Sequence, residues 1–236
     1  MITSISFEES LKRHAAEFHK VVPFDAANDK LLLMDFTANN QSLTKNIIEN
    51  TSAFSDYVRN KISSTGCKYG IGGYAENRSV YSRSSTFDDA AGGEPRRLHI
   101  GIDIWGTAGT PVFAPLGGMV HSFAFNNAFA DYGATIILLH QLDGLPFYTL
   151  YGHLSFNDIQ NLQEGKYMSR GQQFAHFGEP HENGEWPPHL HFQVIKDMQF
   201  KKGDYSGVCK NSEKEKYLNN CPDPDLILQM MKYAGL

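Results

Sequence analysis

Only three cysteines, Cys67, Cys209 and Cys221, occur in the 236 residues. An odd, widely spaced set argues against a disulfide framework and matches no cysteine-based zinc knuckle. A reduced compartment is the simpler reading of so few thiols. Also missing is any apolar run approaching the ~18–20 residues of a transmembrane helix. The first 25 residues carry Glu8, Glu9 and Glu17 where a secretory signal needs an uninterrupted apolar stretch. The expected location is therefore cytoplasmic, or periplasmic or secreted for a chain trimmed of a leader. Positive charge is not in excess either: 21 Lys+Arg against 26 Asp+Glu leaves −5, and the basic residues are scattered. Neutralising phosphates needs a concentrated basic surface, so nucleic acid is not an expected partner. There is no internal repeat and no low-complexity tract.

What remains is an ordinary globular composition, with 41% apolar and 20% charged residues, long enough to bury a core unaided. Phe7, Leu11, Ala15 and Phe18 fall on one helical face, with Ser6 and Glu9 spaced as a capping box. Residues 31–36 read as a strand, and Leu43 to Ile62 as a second helical pattern opened by Ser42 and ending near Gly66. Residues 67–98 have loop composition with interleaved aromatics, a length that is often functional. From 99 to 196, short β-branched and aromatic runs alternate with glycine turns, as in an antiparallel sandwich or barrel. The tail from 197 to 236 reads as helical, with Ser212 and Glu215 spaced as a capping box and Asp223-Pro224 opening a last helix before Leu226, Met230 and Tyr233. The chain thus divides into an N-terminal extension (1–66), a loop-rich segment (67–98), a β core (99–196) and a helical tail (197–236).

Ten histidines invite a search for a metal site. Three segments stand out: His99-Ile100-Gly101-Ile102-Asp103, Tyr151-Gly152-His153-Leu154 and Pro188-His189-Leu190-His191-Phe192. On a strand, His189 and His191 share one face, ~6.5–7 Å apart. His99 and Asp103 would lie ~13 Å apart on a straight strand, too far for one ion, so a shared site requires a local bend, which Gly101 permits. Zinc hydrolases use three protein ligands and leave a fourth position to water, whose pKa falls to about 7. Two His and one carboxylate from separate segments satisfy that requirement. Further imidazoles nearby can move protons or stabilise an oxyanion. His14, His19, His121, His140, His176 and His181 read as structural or solvated.

His-x-x-x-Asp at 99–103, Gly-x-x-Val-x-Ala at 109–114, Tyr-x-His-Leu at 151–154, Gly-Gln at 171–172 and His-Leu-His-Phe at 189–192 resemble the lysostaphin-type zinc metallopeptidases, mostly peptidoglycan endopeptidases. The likeness covers about residues 97–196. It implies Zn²⁺ held by His99, Asp103 and His191, with His189 as general base and His153 as second catalytic imidazole. It also implies a mainly β fold with flanking helices, α+β overall, around an antiparallel sandwich- or barrel-like core of the duplicated hybrid type. Residues 73–81, 186–193 and 221–224 resemble a branch found as a domain between a kinase-like domain and a class III aminotransferase. Secreted members carry a Tyr shortly before the first His, whereas Gly93 and Glu94-Pro95-Arg96-Arg97-Leu98 stand here. Tyr81, Arg78 or Arg97 could take that part, and Glu185 and Trp186 could line the groove.

The function expected is zinc-dependent hydrolysis of peptide amide bonds, on a peptide or peptidoglycan-like substrate. The alternatives are an amidase for a small amino-containing metabolite and a non-catalytic module that binds zinc or peptide.

Overall fold

A computed structural model describes residues 5–235. Fourteen strands form three sheets. They are β1 (Leu31–Leu33), β2 (Tyr69–Gly72), β3 (Glu76–Asn77), β4 (Leu98–His99), β5 (Ile102–Trp105), β6 (Pro111–Phe113), β7 (Gly118–Asn126), β8 (Gly133–Leu142), β9 (Leu145–Leu154), β10 (Tyr167–Met168), β11 (Gln173–His176), β12 (His189–Ile195), β13 (Val208–Cys209) and β14 (Ala234–Gly235). The helices are α1 (Phe7–Arg13), α2 (Lys45–Glu49), α3 (Thr51–Thr65), α4 (Lys214–Asn220) and α5 (Asp225–Leu228). The expected mainly β fold with flanking helices is present. Its centre is an open nine-stranded sheet, ordered β10-β7-β8-β9-β12-β5-β2-β1-β14, and not a closed barrel. Neighbours from β10 to β2 run antiparallel, while β1 lies parallel to both β2 and β14. Among the described residues no helix is long and apolar enough to cross a membrane, and the three cysteines are free thiols.

The strand period of two divides the chemistry from the core. Ile102 and Ile104 of β5 and Leu190, Phe192 and Val194 of β12 face one side, where α1, through Leu11, and α5, through Ile227 and Leu228, complete a core. Asp103, Trp105, His189 and His191 lie on the alternate positions. Over that second face pack α3, through Phe54, Val58 and Ile62 spaced four apart, and the segment carrying Phe36, Val80, Tyr81 and Phe87. The β8–β9 hairpin turns on Asp143-Gly144, both with positive φ (50° and 81°), the two-residue geometry that matches strand twist.

Several helix boundaries differ from the sequence expectation. The capping box of α1 forms with both bonds, Ser6 Oγ accepting from the Glu9 N–H and Glu9 from the Ser6 N–H. The second helical pattern is two helices, because Asn50 breaks it and caps α3 through its side chain. Ser212 forms no capping box: its N–H donates to the Glu94 carboxylate, and α4 starts at Lys214. The last helix is only four residues long, since Gln229 adopts a left-handed φ of 52°, leaving Met230 and Tyr233 beyond it.

Candidate metal centre

The register of β12 assembles the centre. His191 lies opposite Asp103 of β5, and His189 opposite Trp105. His99 reaches the same point by another route. β4 belongs to the small sheet β13-β4-β3, and the chain switches to the large sheet through Ile100-Gly101. That switch is the bend that a shared site requires. Gly101 is needed for space and not for a positive φ: a Cβ there would sit 2.4 Å from the His191 ring.

Three atoms converge. His99 Nε2 lies 2.9 Å from His191 Nδ1 and 3.3 Å from Asp103 Oδ1, and His191 Nδ1 lies 3.0 Å from Asp103 Oδ1. Ligands of a tetrahedral zinc, each ~2.0–2.2 Å from the ion, are roughly 3.3 Å apart, so the spacing fits. The protons fit as well. His99 Nδ1 donates to the Gly73 carbonyl (2.9 Å), and His191 Nε2 donates to Gln193 Oε1 (3.0 Å). Gln193 is held in that orientation by donating its amide to the Ser206 carbonyl and Cys221 Sγ. Both imidazoles therefore turn lone pairs toward Asp103 Oδ1. Three converging acceptors repel one another unless a cation lies among them. Partners that orient metal-binding imidazoles in this way are the usual second layer of a metal site.

Arg78 donates to the other oxygen of Asp103, and also to Glu76 (2.6 Å) and the Gly72 carbonyl (3.2 Å). Burial pushes the Asp103 carboxyl up, but the adjoining His99 and Arg78 outweigh it and hold it well below the usual range. Burial first, then the Arg78 charge, lowers His99 to about 3.

Two more imidazoles face the centre. His189 Nδ1 donates to the Pro187 carbonyl (2.7 Å), and His153 Nδ1 donates to the Asn183 carbonyl (2.8 Å). Each therefore keeps an unprotonated Nε2. Their rings lie 4.1 Å apart between centroids, and Trp105 stacks on His189. Burial lowers His189 to about 4, and burial followed by the His189 charge lowers His153 well below the ordinary imidazole range. His153 sits in a bulge where Gly152-His153 oppose a single residue of β8, with φ +62°. Such bulges re-aim side chains, and a strained non-glycine φ of this kind concentrates at functional sites.

A cavity of about 200 Å³ opens onto these groups. Of the groove residues expected from sequence, Arg78, Tyr81 and Trp186 line it. Arg97 does not: its guanidinium turns to Asp88 and the Phe87 carbonyl, and its neighbour Arg96 lines the cavity instead. Glu185 is also absent from the lining, because its carboxylate accepts from Thr51 Oγ1. Sequence reasoning missed Trp105, Tyr132 and Gln193. Trp105 and Gln193 each stand two residues beyond a site residue on the same strand face, a usable signal. Tyr132, whose hydroxyl lies 3.4 Å from His191 Nε2, offered none.

The site thus sets a buried His/Asp/His constellation and two flanking imidazoles on an open β-sheet. Residues 97–204, just under half of the chain, match the family described as Peptidase family M23. A curated relative, the L-Ala--D-Glu endopeptidase of Bacillus subtilis (strain 168), is 30% identical over 125 residues, covering 51% of this chain and 36% of its own length. The chain thus spans about a third of that relative. Among solved structures, a zinc-containing peptidase from Vibrio cholerae is 26% identical over 45% of this chain and 29% of its own, with a TM-score of 0.34. The catalytic domain of lysostaphin from Staphylococcus simulans is 23% identical over 69% of this chain and 97% of its own, with a TM-score of 0.40. The family match and the curated relative support a peptidase-type hydrolase core.

Proposed function

We propose that the protein is a zinc-dependent hydrolase of peptide-type amide bonds. The observation that carries this reading is the convergence of three lone pairs, from His99 Nε2, His191 Nδ1 and Asp103 Oδ1, at tetrahedral spacing. Those three residues would hold the ion. When bound, zinc supplies a Lewis acid that acidifies water and polarises a carbonyl. His189 presents its free Nε2 to the centre and accepts the proton that the attacking water must lose. His153, fixed by the Asn183 carbonyl, presents its own Nε2 beside it. The proton that His189 takes from water passes to the leaving amine, from His189 itself or by way of His153 Nε2 beside it. Arg78 keeps Asp103 ionised and in place, and Trp105 fixes the plane of the His189 ring. The name of the curated relative makes peptides with an L-Ala–D-Glu bond the first substrates to screen.

The test is metal analysis coupled to a hydrolysis screen. The zinc-loaded wild type should cleave amide substrates. His189→Ala should keep its zinc and lose activity by about 10²–10⁴-fold, the ordinary worth of a general base. Full activity in His189→Ala, or full metal content in Asp103→Ala, would overturn the assignment.

A further inference from the structure

The cavity over the metal centre is roofed, and its mouth lies on one side only. His99, Asp103, His191, His189 and His153 are between 1% and 6% exposed. The lining above them comes from segments that precede the β core: Phe36, Phe54, Val80, Tyr81 and Phe87, all buried. Trp186 closes the far wall, and its indole N–H is buried with no partner in the protein. Of the lining residues, only Thr86, Arg96, Asp131, Asp204 and Ser206 escape full burial. These five belong together. Arg96 donates to the Thr86 carbonyl, the charges of Arg96 and Asp204 both act on Asp131, and Ser206 lies two residues from Asp204. The cavity therefore has one mouth, between the 86–96 loop and the loops at 131 and 204.

A polymer cleaved in its interior must enter a site on one side and leave on the other. With the lining buried everywhere but at this mouth, no second exit is left for that path. At about 200 Å³ the space is also smaller than the ~300–1,000 Å³ of pockets that take drug-sized ligands. We infer that the cavity is a dead-end subsite whose substrate is a compact amide or the free end of a peptide, not the interior of a chain. The inference rests on reading the site as an amide hydrolase, and it selects among that reading's substrates. Phe36, Phe54 and Phe87 act as specificity residues by occupying the ground an extended chain would need. Arg96 and Asp131 at the mouth offer opposite charges to a polar end group.

The test is binding to the full, zinc-loaded chain by two phosphinic ligands. One is a pseudo-dipeptide. The other is a hexapeptide with the phosphinate at its centre and both ends blocked. The dipeptide should bind at least tenfold more tightly, and Phe87→Ala should narrow the gap by opening the roof. Equal or tighter binding of the blocked hexapeptide overturns the inference while leaving the hydrolase reading intact. Binding of neither ligand by a protein that holds zinc also overturns it, because the cavity is then not where substrate sits. Failure to hold zinc is read from metal content in the same sample. It defeats the hydrolase reading and takes this inference with it.

Discussion

The side chain that most repays attention outside the ligand set is Gln193. It is fully buried, and its amide is locked by the Ser206 carbonyl and Cys221, so its oxygen can only accept from His191 Nε2. That bond leaves His191 Nδ1 unprotonated and directed at the centre. Gln193→Leu removes the acceptor and frees the other tautomer. Zinc affinity, measured by chelator competition, should fall about 10–100-fold with little change in fold. A residue far from the metal makes an independent prediction. His140 is buried, with its ring nitrogens on the Gly117 carbonyl and Thr149 Oγ1, and stacks on Phe147. Burial lowers it to about 4. In the unfolded chain it binds a proton near pH 6.5, so its folded form loses stability as pH falls from about 6.5 towards 4 and loses none above. The loss amounts to about 3 kcal/mol across that window. Denaturant titrations at pH 7 and pH 5 should show the drop, and His140→Gln should remove His140's share of it.

At the level of elements, the strands bearing chemistry were more legible than the turns that aim them. The alternation in His-Leu-His-Phe-Gln-Val predicts which residues of β12 face the centre, and the structure follows it, with Leu190, Phe192 and Val194 in the core and His189 and His191 on the cavity. The pairing of His99 with Asp103 was not legible from spacing, because it depends on a switch between two sheets that only tertiary pairing of β4 with β13 and β3 creates. The bulge at Gly152-His153 was hidden for the same reason: nothing local marks a register shift against β8. Helix ends failed where distant partners intervened, as when Glu94 takes the Ser212 N–H. The loop from Gly178 to Trp186 holds His153 through the Asn183 carbonyl, and Gly184 is what lets that loop dock. Its φ is +83°, and a Cβ there would lie 1.9 Å from the Asp131 carbonyl oxygen. Gly144, in the β8–β9 turn, has φ +81° with open space around it. Gly144→Ala should cost only the left-handed penalty, about 1–2 kcal/mol. Gly184→Ala should cost clearly more in denaturant melts, and should also lower activity because it displaces the carbonyl that orients His153.

At the scale of the whole molecule, the segment before the β core decides what kind of site this is. Its composition announced helices and loops but not their destination, since the contacts of Phe36 and Phe54 with Trp105 and Trp186 span long sequence distances. A lid that opens for substrate would need few apolar contacts and a low local stability. The opposite holds here. β1 and β2 extend the central sheet beside β5, β14 from the C-terminus pairs onto β1, and one apolar cluster runs from Leu32 through Trp105 and Trp186 to Val208. Rings such as Phe36, 1% exposed, could leave Trp105 only by giving up burial worth about 1.5–3 kcal/mol each. Both tryptophans of the chain sit at this junction between roof and sheet, and so report on it directly. If the roof is integral, tryptophan fluorescence and far-ultraviolet circular dichroism should follow one coincident unfolding transition in denaturant. A fluorescence change completed at lower denaturant than the loss of sheet signal would mean that the roof lifts as a separate unit. The site would then admit extended chains.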